Sequence, residues 1–243
     1  MNSVSVVESR TDSARFGLRV GRCDIDGNVD AAVLATAAVP FDLVVLRYPA
    51  EAVTVAFELS ELPGFISFTA DHLCYWEWQG AGAEAVVPPG WSVDDQPSGD
   101  EVTDVVRDSF ASYRNHYSAN PLLDRSAALE GYCEWAGHLA AADGAALLLR
   151  DQGGEGVGVA LIDWLADRPE VRLAGMRSSA QGQGLYRVLI ESVVERAVAQ
   201  GHSRVLISTQ SHNVNVMRAW ARMGFVPAKT IATQHLLRAE LVT

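Results

Sequence analysis

The chain has 243 residues, 49% of them apolar and 20% charged, the composition of a soluble globular protein with one large domain or two small ones. Its formal net charge of −11 argues against nucleic acid or an anionic membrane surface as partner, while a small anionic ligand needs only a local cradle. Cys23, Cys74 and Cys133 are far apart and form no C-x-x-C pair, which disfavours a disulfide framework or a thiolate zinc site, and no secretory segment or membrane-length apolar run is present, so a cytoplasmic protein is expected.

Residues 1 to about 15 are polar and predict a frayed segment or a first edge strand. Alternation of Phe16, Leu18 and Val20 with Gly17, Arg19 and Gly21 predicts a strand. The alanine-rich run 28–39 predicts a helix that Pro40 stops, and the continuous apolar run 41–48 a buried strand. A helix over 49–62, a Pro63-Gly64 turn, and strands over 65–70 and 73–78 complete a β-α-β-α-β-β unit with its own core. The glycine- and proline-rich stretch 80–99 is the best boundary, dividing a β/α domain over 1–82 from a second domain over 83–243, with a strand near 83–87 or 91–94. Then come a helix (101–113), a polar, aromatic-bearing loop (114–121), a helix (124–142) and a hairpin pairing 145–150 with 156–164. A strand over 170–177 leads into a glycine turn. Next are a helix from Leu185 that Gly201 ends, a strand over 204–210, a short helix from Asn213 to Gly224-Phe225, and a closing strand over 231–241.

Gly182 and Gly184 lie between a strand and an amphipathic helix. Such a turn exposes free N–H groups at the positive end of the helix dipole, which suits phosphate. A tight connection needing positive φ would carry the same two glycines. No lysine follows as a P-loop requires, and the third glycine of a dinucleotide fingerprint is replaced by Arg187.

Gln181-Gly182-Gln183-Gly184-Leu185-Tyr186 resembles the Gln/Arg-x-x-Gly-x-Gly/Ala pyrophosphate loop of the GNAT acyltransferase superfamily. Asn213-x-x-Val216-x-x-Ala219-Trp220, closing with Arg222-Met223-Gly224-Phe225, resembles that superfamily's second coenzyme A element. The likeness covers about residues 101–241. It implies an α/β (α+β) acyl-CoA N-acyltransferase fold with a central mixed sheet, preceded here by the smaller β/α domain. It also implies acetyl-CoA as co-substrate and no metal. By this resemblance the main chain around Ala174, Gly175 and Met176 would bond the pantetheine arm. Gln181 and the amides of Gly182, Gln183, Gly184, Leu185 and Tyr186 would take the pyrophosphate. Asn213 would touch the coenzyme near the thioester, and Trp220 would complete its site. Two positions depart from the pattern: the last Gly/Ala of the loop is Tyr186, and the usual tyrosine, the general acid for the leaving thiolate, is Trp220. An indole N–H donates a hydrogen bond but is no proton source at neutral pH. Asp12-Ser13-Ala14-Arg15-Phe16-Gly17 and Ser208-Thr209-Gln210 resemble motifs of the TDP-fucosamine acetyltransferase group, which implies a sugar-nucleotide amine as acceptor.

Direct aminolysis of a thioester needs a neutral amine, a polarised carbonyl and a proton for sulfur. Asn115, His116 and Tyr117 offer an amide, a base and an acid in a loop that faces the acceptor in this superfamily, with His116 and Tyr117 as catalytic candidates beside Asn213. His212 precedes Asn213, and His235 lies on the closing strand, where alternation with Gln234 decides its face. Asp163 and Trp164 are further candidates for acceptor contact. No Ser/His/Asp order or metal-ligand spacing stands out. The expected reaction is acyl transfer to a small-molecule amine in a ternary complex. The alternatives are an acyltransferase for another natural-product or amino-acid amine, and a catalytically silent acyl-CoA-binding module. Exposed strand edges leave a homodimer open.

Overall fold

The computed structural model describes residues 4–27, 30–82, 84–142, 144–164 and 167–242. The chain opens with β1 (Val7–Glu8), α1 (Arg10–Phe16), β2 (Val20–Asp24), α2 (Ala31–Ala38), β3 (Leu43–Pro49), α3 (Val55–Ser60) and β4 (Phe65–Gln79). It continues with β5 (Ser92–Asp94), α4 (Gly99–Phe110), a 3-10 turn (His116–Ala119), α5 (Arg125–Ala140), β6 (Ala146–Arg150), β7 (Gly156–Trp164) and β8 (Pro169–Met176). The last elements are α6 (Leu185–Ala199), β9 (Arg204–Gln210), α7 (Val214–Arg222) and β10 (Val226–Arg238). Among the described residues no helix is long and apolar enough to cross a membrane.

Four local expectations change, the simplest being the closing strand, expected over 231–241, which runs Val226–Arg238 before a 3-10 turn at Ala239–Leu241. The apparent alternation around Phe16 is the end of α1: Gly17 takes the left-handed conformation (φ 64°) and its N–H closes on the Ser13 carbonyl, so the strand begins only at Val20. The helix expected over 49–62 shortens to α3, because the preceding residues form turns in which the N–H groups of Ala52 and Val55 bond Pro49 and Ala52 carbonyls. The two strands expected over 65–78 are one 15-residue strand with an irregularity at Ala70, where the register against β10 shifts between Thr233 and Gln234. Asn28, the expected start of a helix, and Ala83, the expected start of the second domain, lie outside the described residues. Helix α2 starts from Asp30, whose Oδ1 accepts from the Ala32 and Val33 N–H groups.

Among the described residues the ten strands form one mixed sheet in the order β1-β2-β3-β10-β4-β9-β8-β7-β6-β5. The β2–β3 and β8–β9 pairs are parallel and the others antiparallel. Strand β4 lies between β10 and β9, so pairing crosses the glycine- and proline-rich boundary, and the core under α2 and α3 takes Ala232 and Leu236 from β10. The outer strands are only 2 and 3 residues long, which offers little ladder to a second chain.

Strands β6 and β7 are buried on both faces, which is why they read as continuous apolar runs. Leu148, Val159 and Leu161 meet Val102, Val105 and Val106 of α4 and Cys133 and Ala136 of α5. Leu147, Leu149, Ala160 and Ile162 face the other way, onto Leu185, Leu189, Ile190, Val193 and Ala197 of α6. A capping box starts α4: the Ser98 side chain accepts from the Glu101 N–H while the Glu101 carboxylate accepts from the Ser98 N–H. These two faces fix β8 and the turn into α6 relative to each other.

Candidate active site

Strand β8 pairs with β7 from Pro169 to Met176, but with β9 only at Glu170 and Val171. Past Val171 the two parallel strands separate, leaving the β9-facing main chain of residues 172–176 without a strand partner. A cavity of about 1620 Å³ opens there and runs across the sheet to β2. Ala174, Gly175 and Met176 all line it. Gly175 is required by packing, because a Cβ there would lie 2.8 Å from the Phe110 ring and 2.8 Å from Ser109 Cβ. Its absence lets α4 close against the splayed strand.

The glycine turn forms the rim of the same cavity. Gly182 and Gly184 hold φ of 75° and 78°, and a Cβ at either would meet nothing within 4 Å. Their left-handed backbone, not crowding, is what calls for glycine. No side chain caps α6, so its first N–H groups point outward at the positive end of the helix dipole. The Gln181 side chain donates to the Met176 carbonyl (3.1 Å), fastening the turn to the end of β8, and Gln183 donates to the Ser179 carbonyl (3.1 Å). An uncapped helix start, an open glycine pair and an adjoining splayed strand fit a pyrophosphate with an extended amide-bearing arm.

Leu185 is buried in the core under α6, so only its amide is available. Tyr186 turns inward, where its hydroxyl accepts a 3.1 Å hydrogen bond from Trp220 Nε1. Trp220 is 1% exposed and packs against Trp76 and Phe225. Burial, only partly offset by the Trp220 bond, raises the Tyr186 pKa, so the phenol is protonated at neutral pH. At the end of β9, Asn213 Nδ2 donates to Thr209 Oγ1 (3.0 Å), while the Tyr113 hydroxyl donates to Gln210 and lies 3.3 Å from Thr209 Oγ1.

At the far end of the cavity, the 3-10 turn packs on β4 and reaches β10 through His116. Asn115 lines a smaller neighbouring cavity and starts this turn, its Oδ1 accepting from the Tyr117 and Ser118 N–H groups. His116 and Tyr117 line the large cavity. His116 Nδ1 lies 3.0 Å from His235 Nε2, and the rings are 5% and 0% exposed. Burial holds the His116 pKa well below the usual imidazole range, with the nearby His235 adding to it, and burial with Arg47 lowers that of His235 to about 4. At neutral pH the pair is therefore uncharged, one ring donating to the other. His235 faces this turn, whereas Gln234 faces away and bonds Ser67 and Thr69.

Tyr117 donates to Asp12 Oδ1 (3.1 Å) and accepts from Arg22 (2.8 Å); burial pushes its pKa up to about 12. Asp12, only 2% exposed, also binds Arg15, Arg22 and Ser9. Burial acts to raise the Asp12 pKa, but the Arg22 charge and hydrogen bonds outweigh it and the net shift is downward. His212 is exposed on the rim. Asp163 and Trp164 do not line the cavity; the Trp164 indole donates to the Gly144 carbonyl instead. Tyr113, Arg22, Arg47 and Asp71 line the cavity without having been singled out from sequence. They lie on separate elements, and no spacing relates them.

The family model described as Acetyltransferase (GNAT) family matches residues 104–225. The chain is 25% identical over 197 residues to the spore coat polysaccharide biosynthesis protein SpsD of Bacillus subtilis (strain 168), a match spanning 80% of this chain and 66% of that relative's length. Among solved structures, a GCN5-related N-acetyltransferase from Sphaerobacter thermophilus superposes with a TM-score of 0.64 at 15% identity, covering 97% of this chain and 76% of the other. Another from Kribbella flavida gives 0.60 at 16% identity, covering 91% and 81%.

Proposed function

This chain belongs to the acetyltransferase (GNAT) family, and on that premise we propose that it moves an acetyl group from acetyl-CoA to a primary amine of a small molecule, with a nucleotide-linked amino sugar as the acceptor class. The observation that carries this reading is the continuity of one cavity. It joins the open glycine turn before α6, the unpaired edge of β8 and the His116–Tyr117 turn. The relative described as acting in spore coat polysaccharide biosynthesis supports a sugar acceptor.

In this reading the N–H groups of residues 182–186 hold the pyrophosphate of acetyl-CoA and the free edge of Ala174–Met176 holds its pantetheine arm. Free main-chain N–H groups at the splay stabilise the oxygen that becomes negative during attack. Asn213, fixed by Thr209, lies beside the thioester. The amine nitrogen attacks the carbonyl carbon, the carbon–sulfur bond breaks, the nitrogen loses a proton and the thiolate gains one. His116 is neutral, its Nδ1 occupied by His235, which leaves Nε2 as the ring atom toward the acceptor. Tyr117, protonated and tied to Asp12 and Arg22, orients that end.

Transfer goes directly from coenzyme to amine in a ternary complex, because among the described residues no cysteine lines the cavity. Two experiments test this. Mass spectrometry of the protein after acetyl-CoA alone is expected to show no acetyl-enzyme. Initial rates against both substrates are expected to give intersecting lines; a trapped acetyl-enzyme with parallel lines would refute the direct transfer.

A further inference from the structure

Across the middle of the cavity runs a row of polar side chains whose hydrogen-bonding capacity the protein leaves unused: Arg47 and Asp71 line the cavity, and Thr233, 1% exposed, lies buried between them. Arg47 on β3 lies directly opposite Thr233 on β10, and Thr233 directly opposite Asp71 on β4, so all three project from one face of the sheet. Arg47 Nε, Thr233 Oγ1 and Asp71 Oδ1 are each buried and have no hydrogen-bond partner among the described residues. Neither Arg47 nor Asp71 forms an ion pair among them, although both line the cavity. Buried polar atoms are nearly always partnered, and these three form one continuous row. The protein's own packing does not explain an unpaired guanidinium and an unpaired carboxylate two strands apart.

Their order across the sheet gives the row a direction. The splayed edge of β8 comes first, then β9 with Gln210, then Asp71 on β4, Thr233 on β10 and Arg47 on β3. Asp71 is therefore the member nearer the proposed transfer point. Arg47 lies two strand spacings farther out, about 10 Å between main chains. Arg22 on β2 stands beyond it, already engaged by Asp12 and Tyr117. A carboxylate accepts from an ammonium or hydroxyl, a guanidinium donates to an anionic oxygen, and a threonine hydroxyl between them does either.

We propose that Asp71 and Arg47, with Thr233 buried between them, form the acceptor subsite, and that the acceptor is an amine carrying an anionic group, its nitrogen end toward Asp71 and its carboxylate or phosphate on Arg47. This rests on the acetyltransferase reading above and narrows it: a neutral amino sugar or a polyamine lacks the group that Arg47 requires. Because the row is unpartnered in the free protein, its side chains serve the ligand and not the fold.

The test compares wild type with Arg47→Met, Asp71→Asn and Thr233→Val. Acetyl transfer is measured to glucosamine, glucosamine 6-phosphate, glutamate and spermidine, with calorimetric titration of glucosamine 6-phosphate alongside. An anionic amine is expected to exceed neutral glucosamine about tenfold or more in kcat/KM, the range of one charge-assisted contact. Arg47→Met should remove that preference by raising KM with kcat held, while the thermal midpoint of each free variant stays level or rises. Which of glucosamine 6-phosphate and glutamate leads identifies the anion as phosphate or carboxylate. Equal use of neutral and anionic amines, or an Arg47→Met loss that is the same for all four, would overturn the subsite. So would a marked fall in thermal midpoint, which would assign the row to the fold. If no amine is acetylated while acetyl-CoA still binds, the transferase reading fails. The calorimetry then decides the subsite separately: binding of glucosamine 6-phosphate lost in Arg47→Met supports it, and binding absent or unchanged refutes it.

Discussion

Trp220 Nε1 donates to the Tyr186 hydroxyl at 3.1 Å, and these are the two positions at which the sequence differs from the coenzyme A motifs it resembles. The departures meet in space and satisfy each other, coupling the first turn of α6 to α7. Tyr186→Phe leaves a buried indole N–H without a partner, at a cost of about 1–3 kcal/mol. Trp220→Phe removes both the donor and packing volume. In urea unfolding, the double variant is expected to lose less stability than the two single losses added together, by roughly 1 kcal/mol. Strict additivity would mean that the two residues act independently.

The glycine turn makes a separable prediction. At φ of 75° and 78°, Gly182→Ala or Gly184→Ala imposes a left-handed strain of about 1–2 kcal/mol, which the turn relieves by rotating its N–H groups away from the rim. Affinity for acetyl-CoA should fall about tenfold, equivalent to about 1.4 kcal/mol, with acceptor KM little changed. Calorimetric titration of acetyl-CoA against each variant measures this. Undiminished affinity would place the pyrophosphate elsewhere.

Asp12 gathers the far wall of the cavity. Removing its carboxylate by Asp12→Ala leaves the partly buried Arg15 and Arg22 without their common partner and frees the Tyr117 hydroxyl. Loss of one side of a buried ion pair costs about 3–5 kcal/mol, and a lower value is expected here because Arg22 is partly in water. Thermal unfolding should show this variant well below Arg10→Ala, a control outside the Asp12 contacts.

The His116–His235 pair makes acid stability a site-specific readout. His235 has a pKa of about 4 in the folded protein, against 6.5 for a free imidazole. Between those values the unfolded chain binds a proton that the folded chain does not, so stability rises with pH there and is lost on acidification. His116, shifted in the same direction, adds to the loss. The His235 contribution alone reaches about 3 kcal/mol by pH 4. Urea unfolding from pH 7 to 4.5 should be less pH-dependent for His235→Gln than for wild type; identical slopes would mean the pair is not buried and neutral.

Elements set by local patterning were legible in the sequence. The stripe of α6, its Gly201 end and all of β9 match the expected limits, since each follows from neighbours within a few residues. The start of β2 was not, because Phe16, Leu18 and Val20 imitate strand alternation while a left-handed Gly17 ends a helix between them. The position of β4 between β9 and β10 was also hidden, because strand order is decided by packing between segments 125 or more residues apart. The site divides along the same line. Gly182, Gly184 and Asn213 belong to short motifs and could be named from sequence. Arg47, Asp71 and Thr233 become neighbours only through sheet register, and the His116–His235 contact joins residues 119 apart.

The central claim is acetyl transfer across this one cavity, and free-thiol release from acetyl-CoA coupled to detection of the N-acetylated product tests it most directly. The expected result is thiol and product in equal amounts with at least one primary amine, and loss of both signals when Gly182 and Gly184 are replaced together by valine. Tight acetyl-CoA binding with no thiol released on any amine would contradict it, and would leave the chain a holder of acyl-CoA.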